Sequence, residues 1–493
     1  MNVTSAIFFL GCIPAVLVYW RLPGRFRTLW LFVLSLGFLL TWSWELAGIL
    51  LVVATVNFFL GRWLERADVR RRVLLWIGIG FNLLVLVGLK YSSFFAPALV
   101  SLLGRAGIAT RTGSLQFLVA VGASFIVLQM ISYLVDVYHR ILAPADRWLD
   151  FALFVVYFPK LLSGPIERAR RLLPEFKQPK PLDALGAERS FWLIVVGLVR
   201  KIFLADTLTM LIPADIFSHP QAHSGQETLL YLVVYAFAIY NDFAGYTAIV
   251  RGVSGFFGIE LSSNFDLPYF ARNFSEFWTR WHISLSSWLR DYIYYPLSRG
   301  LLRKIKDHEH GINLVLPPLV TMLTSGLWHG IGWNFLVWGG LYGVYLIVER
   351  VTLLRGPRRL PDEWPRWRQS LSTLGIFTLV TLAWIPFHMQ LPVAWQYFLR
   401  IFSPSAWIGL PLTTRGATLS AQVGVKSGLP DLRVFLVLLL ALGLDWAQLR
   451  HKDETFLARW PVWGRASFLA TLAILFVLLS FAETGVPFVY QGF

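Results

Sequence analysis

The sequence has few cysteines and few charged residues, and each shortage narrows the class of protein. Cys12 is the only cysteine among 493 residues, so an intramolecular disulfide is impossible and a paired-cysteine metal site is not expected. Charged residues make up 15% of the chain, whereas a soluble domain has about 25%. A His-Glu-x-x-His motif is also missing from the sequence. We therefore expect a membrane protein with no metal site and no bound cofactor.

Apolar residues are what the sequence has in excess. Hydrophobic residues make up 56% of the chain, and the mean hydropathy is +0.60. Several apolar runs approach or exceed the roughly 20 residues that span a bilayer as a helix. We predict an all-α polytopic membrane protein with about 11 transmembrane helices. The sequence contains no internal repeat, and we predict a single integral membrane domain over residues 1–493, with a motif core at about 120–350 and C-terminal helices at 371–493.

Basic residues outnumber acidic ones, 44 to 28, which gives a net charge of +16. In a membrane protein, Lys and Arg fix the topology and face anionic lipid, so we expect the lipid bilayer as a partner and no nucleic acid. Arg21, Arg25 and Arg27 follow the first apolar run and predict an N-terminus on the outside. The weakly charged stretches at 91–115 and 403–430 are then predicted to be external.

The apolar run at residues 151–162 is too short to span a bilayer comfortably, and basic residues lie on both sides of it. Pro159, Gly164 and Pro165 would break a helix there. This arrangement predicts a re-entrant hairpin, which is tolerated where protein or a water-filled cavity covers the broken backbone. A simple spanning helix with an unusual charge pattern is the alternative.

Several charged residues lie within predicted spans, and three of them need an explanation. Asp242 falls in the run at 229–250, where inserting an aspartate costs about 2.5 to 3.5 kcal/mol. It therefore needs a partner or a polar cavity, and both structural pairing and direct chemistry remain open. Arg200 and Lys201, in the span at 190–204, do not fit the charge rule that orders the rest of the chain.

The most polar long stretch of the chain, residues 274–329, contains two histidines set among tryptophans. Its first apolar residues recur with a helical period, and Asn273 with Glu276 is typical of a capping box. We predict one amphipathic helix over residues 274–289, with His282 at the border of its apolar stripe. An interfacial helix and a helix that lines an active site both fit this pattern.

A second hairpin is predicted at the end of that stretch. The apolar run at residues 313–330 is interrupted by Pro317 and Pro318, and the basic residues on both sides of the hairpin belong inside. His329 should therefore lie on the far arm or at the tip, some way into the membrane. A buried histidine stays neutral and can accept a proton. One base beside a hydroxyl group accelerates a reaction about 10² to 10⁴-fold.

Four motifs connect the chain to a known family. They are FWTRWHISLSSWLRDY at 277–292, SGLWHG at 325–330, FPKLLSGPIER at 158–168 and DFAGY at 242–246. The chain resembles the membrane-bound O-acyltransferase family over about residues 1–400, and within it the bacterial alginate O-acetylation branch. The resemblance implies a helical fold in the bacterial inner membrane, in which a cytoplasmic tunnel meets an external funnel near a buried histidine.

The resemblance also implies roles for particular residues. His329 matches the family's catalytic base, His282 its second histidine, and Asn313 an asparagine that orients the donor or the acceptor. Asp291 is expected to pair with a neighbouring arginine. The other residues expected to line the substrate path are Trp281, Trp288, Trp328, Arg280, Arg290, Asp291, Asp242 and Tyr246.

The implied reaction is acyl transfer to a hydroxyl group. The resemblance implies acetyl-CoA or another acyl thioester as the donor, whose phosphates Arg290, Arg303 and Lys304 would attract. The acceptor would be an extracytoplasmic polysaccharide, a carrier protein, or a periplasmic or extracellular acetyltransferase partner.

The chain departs from the family's alginate branch at three places. Thr279 replaces one of two arginines, Tyr342-Gly343 replaces a His-Gly pair, and Phe387-His388 replaces a Phe-Arg pair. These departures bear on the acceptor more than on the reaction. Peptidoglycan O-acetylation and teichoic-acid D-alanylation therefore stay open as alternatives. A polysaccharide or lipid transporter is the alternative from another class, and the missing internal repeat counts against it.

Overall fold

The computed structural model describes residues 3–90, 101, 105, 122–355, 363–408 and 432–480. Throughout these residues the regular structure is helical, with one isolated β-bridge between Phe265 and Trp281. The all-α prediction is therefore confirmed. Most of the two stretches predicted to be external, 91–115 and 403–430, lies outside the described residues.

Seven helices of the described chain are long and apolar enough to cross a membrane. They are α3 (Trp44–Arg66), α4 (Arg71–Lys90), α10 (Gly225–Gly255), α14 (Gly311–His329), α15 (Trp333–Arg355), α16 (Arg366–His388) and α19 (Leu432–His451). Three shorter apolar helices are α1 (Ala6–Arg21), α5 (Ala123–Tyr138) and the first part of α20 (Val462–Ser480). The chain is a multi-pass membrane protein.

The contacts divide the chain into two compact units, and the first consists of Met1–Val195 and Tyr246–Ser263. Of the helices named above, α1, α3, α4 and α5 belong to this unit. It also contains α2 (Gly24–Leu40), α6 (Trp148–Val156), α7 (Ala169–Lys177) and most of α8 (Ala184–Leu198). Within this unit, α3 and α4 are joined by reciprocal hydrogen bonds between the buried amides of Asn57 and Asn82, at 2.8 and 3.1 Å. Pairing satisfies polar groups that lipid cannot.

The run at residues 151–162 is broken, as predicted, because α6 ends at Val156, three residues before Pro159; that the segment re-enters the membrane stays a prediction. The nine residues of α6 extend about 14 Å, which is less than half of the bilayer core of about 30 Å. A 3₁₀ turn at Phe158–Lys160 follows, and the chain runs without regular structure from residue 164 to α7. Lys160 is buried here, and its Nζ donates a hydrogen bond to Oε1 of Gln129 at 2.6 Å. The hydroxyl groups of Ser35 and Tyr246 accept hydrogen bonds from the backbone N–H groups of Phe158 and Ser163, at 3.1 and 3.2 Å, so side chains satisfy part of the broken backbone.

The second unit consists of Val196–Gly245 and Asn264–Phe493. It contains the N-terminal part of α10 and all later spanning helices. The shorter helices of this unit are a π-helix at Val199–Asp206, α9 (Thr207–Leu211), α11 (Phe274–Arg280), α12 (Ile283–Leu289), a π-helix at Arg290–Tyr294, α13 (Tyr295–Ile305), α17 (Leu391–Phe402) and α18 (Pro404–Ile408).

Ion pairs in the interior explain the two cations that did not fit the charge rule. Arg200 is buried and donates to Oδ1 of Asp445 at 2.5 Å. Lys201, the next residue, lies 2.7 Å from Oδ1 of Asp242 and 2.6 Å from Oδ1 of Asp206. The positive-inside rule counts cations that face the cytoplasm. These two are neutralised within the protein instead.

The helix α14 is continuous, so the predicted interruption at Pro317 and Pro318 is wrong. A proline at position 317 leaves the carbonyl of Asn313, four residues earlier, without its helical N–H donor. Nη1 of Arg350 donates to that carbonyl at 3.2 Å. His329 is the last residue of α14, and a short turn leads into α15. The histidine therefore lies at the tip of the hairpin, which is one of its two predicted places.

Close backbone contact holds α14 and α15 together. A Cβ atom at Gly326 would collide with the backbone oxygen of Phe335, and one at Gly339 would collide with that of Met322. Glycine at these two positions lets the helices approach. The close packing of α14 and α15 therefore fixes the position and orientation of His329.

The predicted single helix over residues 274–289 is divided into α11 and α12. Asn273 caps α11 as predicted, because its Oδ1 accepts a hydrogen bond from the N–H of Glu276 at 2.6 Å. The division comes at His282, whose φ of 43° is left-handed. The N–H groups of the next two residues donate to the carbonyl and the side-chain oxygen of Asn264, at 2.9 and 3.2 Å. Asn264 thus stabilises a turn that no local pattern reveals.

Candidate active site

His329 is buried at the C-terminal end of α14, within a box of aromatic rings. His329 is 4% exposed. The ring centroids of Trp328, Trp338 and Phe387 lie 4.8, 5.1 and 5.1 Å from that of His329, all close to perpendicular to it. Apolar rings on three sides limit the access of water to this imidazole, which can accept a proton in its neutral form.

His282 occupies the left-handed turn between α11 and α12, outside the spanning helices. The ring of Phe243 packs against it at 4.8 Å, and that of Trp328 at 6.0 Å. Burial lowers the pKa of His282 to about 3, so this histidine is neutral at physiological pH. Trp328 contacts both histidines, so the structure brings together the two residues that the sequence singled out.

A second layer of aromatic rings surrounds the first. Trp281 is buried, and its ring lies 5.1 Å from that of Trp384, which in turn lies 5.1 Å from Phe387. Trp278 packs against Trp338 at 6.0 Å. Trp281 is therefore connected to His329 through two rings, and its place along the substrate path stays a prediction. Trp288 is buried too, and the ring that packs on it is Tyr292, at 5.2 Å.

The charged residues of the predicted site are ion-paired. Arg280 lies 2.8 Å from Oε1 of Glu276, and the Nε of Arg290 lies 3.2 Å from Oδ1 of Asp291. Asp291 thus pairs with its neighbouring arginine, as expected. Burial opposes ionisation of Glu276, but hydrogen bonds and charge from Arg272 and Arg280 hold its pKa below the ordinary value. These pairs hold the polar side of the stretch in place.

Asn313 and His329 stand at opposite ends of α14. Sixteen residues separate them, which is about 24 Å along a helix. The amide of Asn313 donates to the backbone oxygen of Asp307, in the turn that follows α13. Arg303 and Lys304 lie in the last turn of α13. Asn313 is therefore distant from His329, and its role in orienting the donor or the acceptor stays a prediction.

The remaining two predicted residues have structural partners. Asp242 forms the ion pair with Lys201 described above, which is the pairing alternative. Tyr246 belongs to the first unit, where its hydroxyl accepts a hydrogen bond from the N–H of Ser163 at 3.2 Å. Their predicted place along a substrate path stays a prediction.

Sequence reasoning missed three of the rings around the histidines. Trp338 and Phe387 contact His329, and Phe243 contacts His282. One signal was present, because the chain departs from the alginate branch at Tyr342 and at His388, the residue that follows Phe387. Tyr342 packs 5.2 Å from Trp338. Both departures therefore fall next to rings that contact the candidate base.

The described residues contain no group of three His, Cys, Asp or Glu side chains placed to hold a metal ion. What the site offers is a buried imidazole in an aromatic box. Such a base can take a proton from a hydroxyl group and return it to a leaving group.

Comparisons with known proteins agree with this chemistry. The model of the membrane-bound O-acyltransferase family matches residues 147–365. The chain is 33% identical to "Probable alginate O-acetylase AlgI" of Azotobacter vinelandii over 418 residues, 83% of this chain and 79% of that protein. It is 30% identical to a peptidoglycan O-acetyltransferase of Helicobacter pylori over 74% of this chain and 71% of that protein. It is 28% identical to a teichoic acid D-alanyltransferase of Streptococcus thermophilus over 58% of this chain and 72% of that protein.

Proposed function

The chain belongs to the membrane-bound O-acyltransferase family, and we propose that it moves an acetyl group from a cytoplasmic thioester to a hydroxyl group outside the bacterial inner membrane. The acceptor we propose is an extracytoplasmic polysaccharide of the alginate type or the carrier protein that delivers to it. The observation that carries the proposal is the buried imidazole of His329, enclosed by three rings at the tip of the hairpin of α14 and α15.

The reaction follows from that base. His329 takes the proton of the acceptor hydroxyl, and the oxygen attacks the carbonyl carbon of the thioester. The carbonyl π electrons move to oxygen, and the tetrahedral intermediate collapses with cleavage of the C–S bond. The imidazolium of His329 then returns the proton to the leaving thiolate. The products are an ester and a free thiol, and the base is regenerated.

The donor we propose is acetyl-CoA or another acyl thioester. Arg303 and Lys304 stand beside the end of α14 that carries Asn313, and a phosphate group there would be attracted by them. The thioester of such a donor would extend along α14 towards His329. In this topology the N-terminus lies outside, and the base is approached from both faces of the membrane.

Similarity favours the polysaccharide acceptor over the other two acceptors represented among the relatives. The match to the alginate O-acetylase covers more of this chain than those to the peptidoglycan and teichoic acid enzymes. Peptidoglycan O-acetylation is the second candidate, because Tyr342 and His388 depart from the alginate branch, and Tyr342 packs against Trp338 beside the base.

The experiment measures release of CoA from acetyl-CoA by purified protein in detergent, with an oligosaccharide acceptor. We expect turnover by the wild type and a loss of at least about 10²-fold in His329→Ala. His308→Ala, in the exposed turn before α14, serves as the matched control and should keep wild-type activity. A folded His329→Ala variant with full activity would refute the proposal.

A further inference from the structure

Trp338 holds a buried hydrogen-bond donor beside the candidate base. The residue is 1% exposed, and its Nε1 atom is buried without a hydrogen-bond acceptor among the described residues. Buried polar groups in folded proteins are nearly always paired, so an unpaired one calls for an explanation. An indole N–H can only donate, and it cannot rotate towards another partner as a hydroxyl group does. Whatever pairs with it must therefore present an acceptor.

The position of this indole is fixed by its neighbours. Its ring lies 5.1 Å from that of His329, at an interplanar angle of 83°. Phe387, Tyr342 and Trp278 pack around it at 5.2, 5.2 and 6.0 Å. A donor held in place before the reaction costs no reorganisation when charge develops beside it.

Ser325 provides an independent sign that this end of α14 receives a polar ligand. It lies one helical turn before His329, so both side chains share a face of the helix. Ser325 is fully buried, and its hydroxyl oxygen also has no hydrogen-bond partner within the described part of the chain. Two buried polar groups without a partner among the described residues thus belong to neighbours of the base, one on a ring that contacts it and one a helical turn before it.

We infer that the indole N–H of Trp338 donates a hydrogen bond to the carbonyl oxygen of the acyl donor and stabilises the oxyanion formed there. This inference rests on the acyl transfer proposed above. When the acceptor oxygen attacks, the C=O π electrons become a lone pair on that oxygen, and the hydrogen bond from Trp338 strengthens. As the C–S bond breaks, the pair re-forms the carbonyl, and the thiolate takes the proton from His329. Trp338 gives up no proton in this cycle.

The test replaces the N–H and keeps the ring. We would introduce 3-benzothienylalanine at position 338, where sulfur takes the place of the indole N–H. We expect kcat for acetyl transfer to fall about 10²-fold, the KM for acetyl-CoA to stay within about 2-fold, and the pH profile to keep its shape. A purely structural role for the ring would leave kcat unchanged, because the replacement preserves its size and packing.

Trp384 provides the matched control. It is equally buried, and its Nε1 also has no acceptor among the residues described. Its ring connects to His329 through Phe387, at 5.1 Å for each contact. The same replacement at position 384 should leave kcat within about 3-fold of the wild type. Equal losses at both positions would overturn the inference.

The outcomes separate this inference from the proposed function. If the position-338 variant keeps the wild-type kcat while His329→Ala is inactive, the oxyanion role is wrong and acyl transfer stands. If the folded wild type transfers no acyl group to any of the three acceptor classes, the proposed function fails and the inference with it. A fall in kcat at position 338 alone supports both.

Discussion

The ring of His282 lies 6.0 Å from that of Trp328, the residue that directly precedes His329. The same indole lies 4.8 Å from the imidazole of His329. One side chain therefore separates the two buried histidines and borders both. Its size sets the spacing of a site whose other walls belong to α15 and α16.

Trp328→Ala should lower both stability and activity. Removing a large buried ring costs about 3–5 kcal/mol, since the surrounding structure collapses only in part. Trp328→Phe keeps an aromatic contact with both histidines and should retain most of the stability. Thermal unfolding in detergent and acetyl transfer measure the two effects. Trp463→Ala, at a residue 74% exposed, is the control, and equal unfolding temperatures for the two alanine variants would contradict the prediction.

His282 should make stability depend on pH in the acidic range. Burial lowers its pKa from 6.5 to about 3, so between these values the unfolded chain binds a proton that the folded chain does not. Stability therefore falls as pH drops below about 6.5, by about 2 kcal/mol at pH 5, and is unaffected by this group above pH 6.5. His282→Asn keeps a residue that tolerates the left-handed turn and should remove this component. Unfolding temperatures of both proteins from pH 5 to 8 provide the measurement, and parallel curves would count against it.

Breaking the buried pair of Arg200 and Asp445 should be strongly destabilising. Asp445→Ala leaves a buried guanidinium without its carboxylate, which costs about 3–5 kcal/mol. The double variant Arg200→Met, Asp445→Leu should recover much of that loss, because no charge remains unpaired. The pair Lys177–Asp146 is exposed on both sides, and Asp146→Ala should cost about 0–1 kcal/mol. Chemical unfolding of the four proteins tests the order, and a neutral Asp445→Ala would refute it.

Arg350 and Pro317 should be energetically coupled. Arg350→Met removes the donor that pairs with the carbonyl of Asn313, and we expect a loss of about 1–3 kcal/mol. In Pro317→Ala, the new N–H group can serve that carbonyl, so Arg350→Met should cost about 1 kcal/mol less in this background. Tyr294→Phe controls for the second hydrogen bond that Arg350 makes, at 3.0 Å. Additive losses in the double variant would show that the carbonyl does not need Arg350.

The features of the fold that depend on nearby residues could be predicted from the sequence. Asn273 capped α11 as expected, and Pro159 and Gly164 marked a real break. The division at His282 could not be predicted, because it depends on hydrogen bonds to Asn264, which lies outside the amphipathic pattern. The continuity of α14 through two prolines depends in the same way on Arg350, which is distant in the chain.

The candidate site shows the same contrast. The histidines were recognisable because polar residues among tryptophans stand out in an apolar chain. Trp338 and Phe387 lie on ordinary spanning helices, where aromatic residues are expected against lipid and carry no signal of their own. Only the folded hairpin of α14 and α15 reveals that these rings enclose the base.

The pairing of Arg200 with Asp445 also constrains how the chain is made. The two residues are 245 positions apart, so the ribosome delivers the arginine to the translocon long before its partner exists. During that interval the segment around the π-helix carries an uncompensated cation and resists stable insertion. Its final placement must wait for α19, near the C-terminus. A prematurely terminated chain would therefore expose this defect, and quality-control proteases that survey unassembled segments could recognise it.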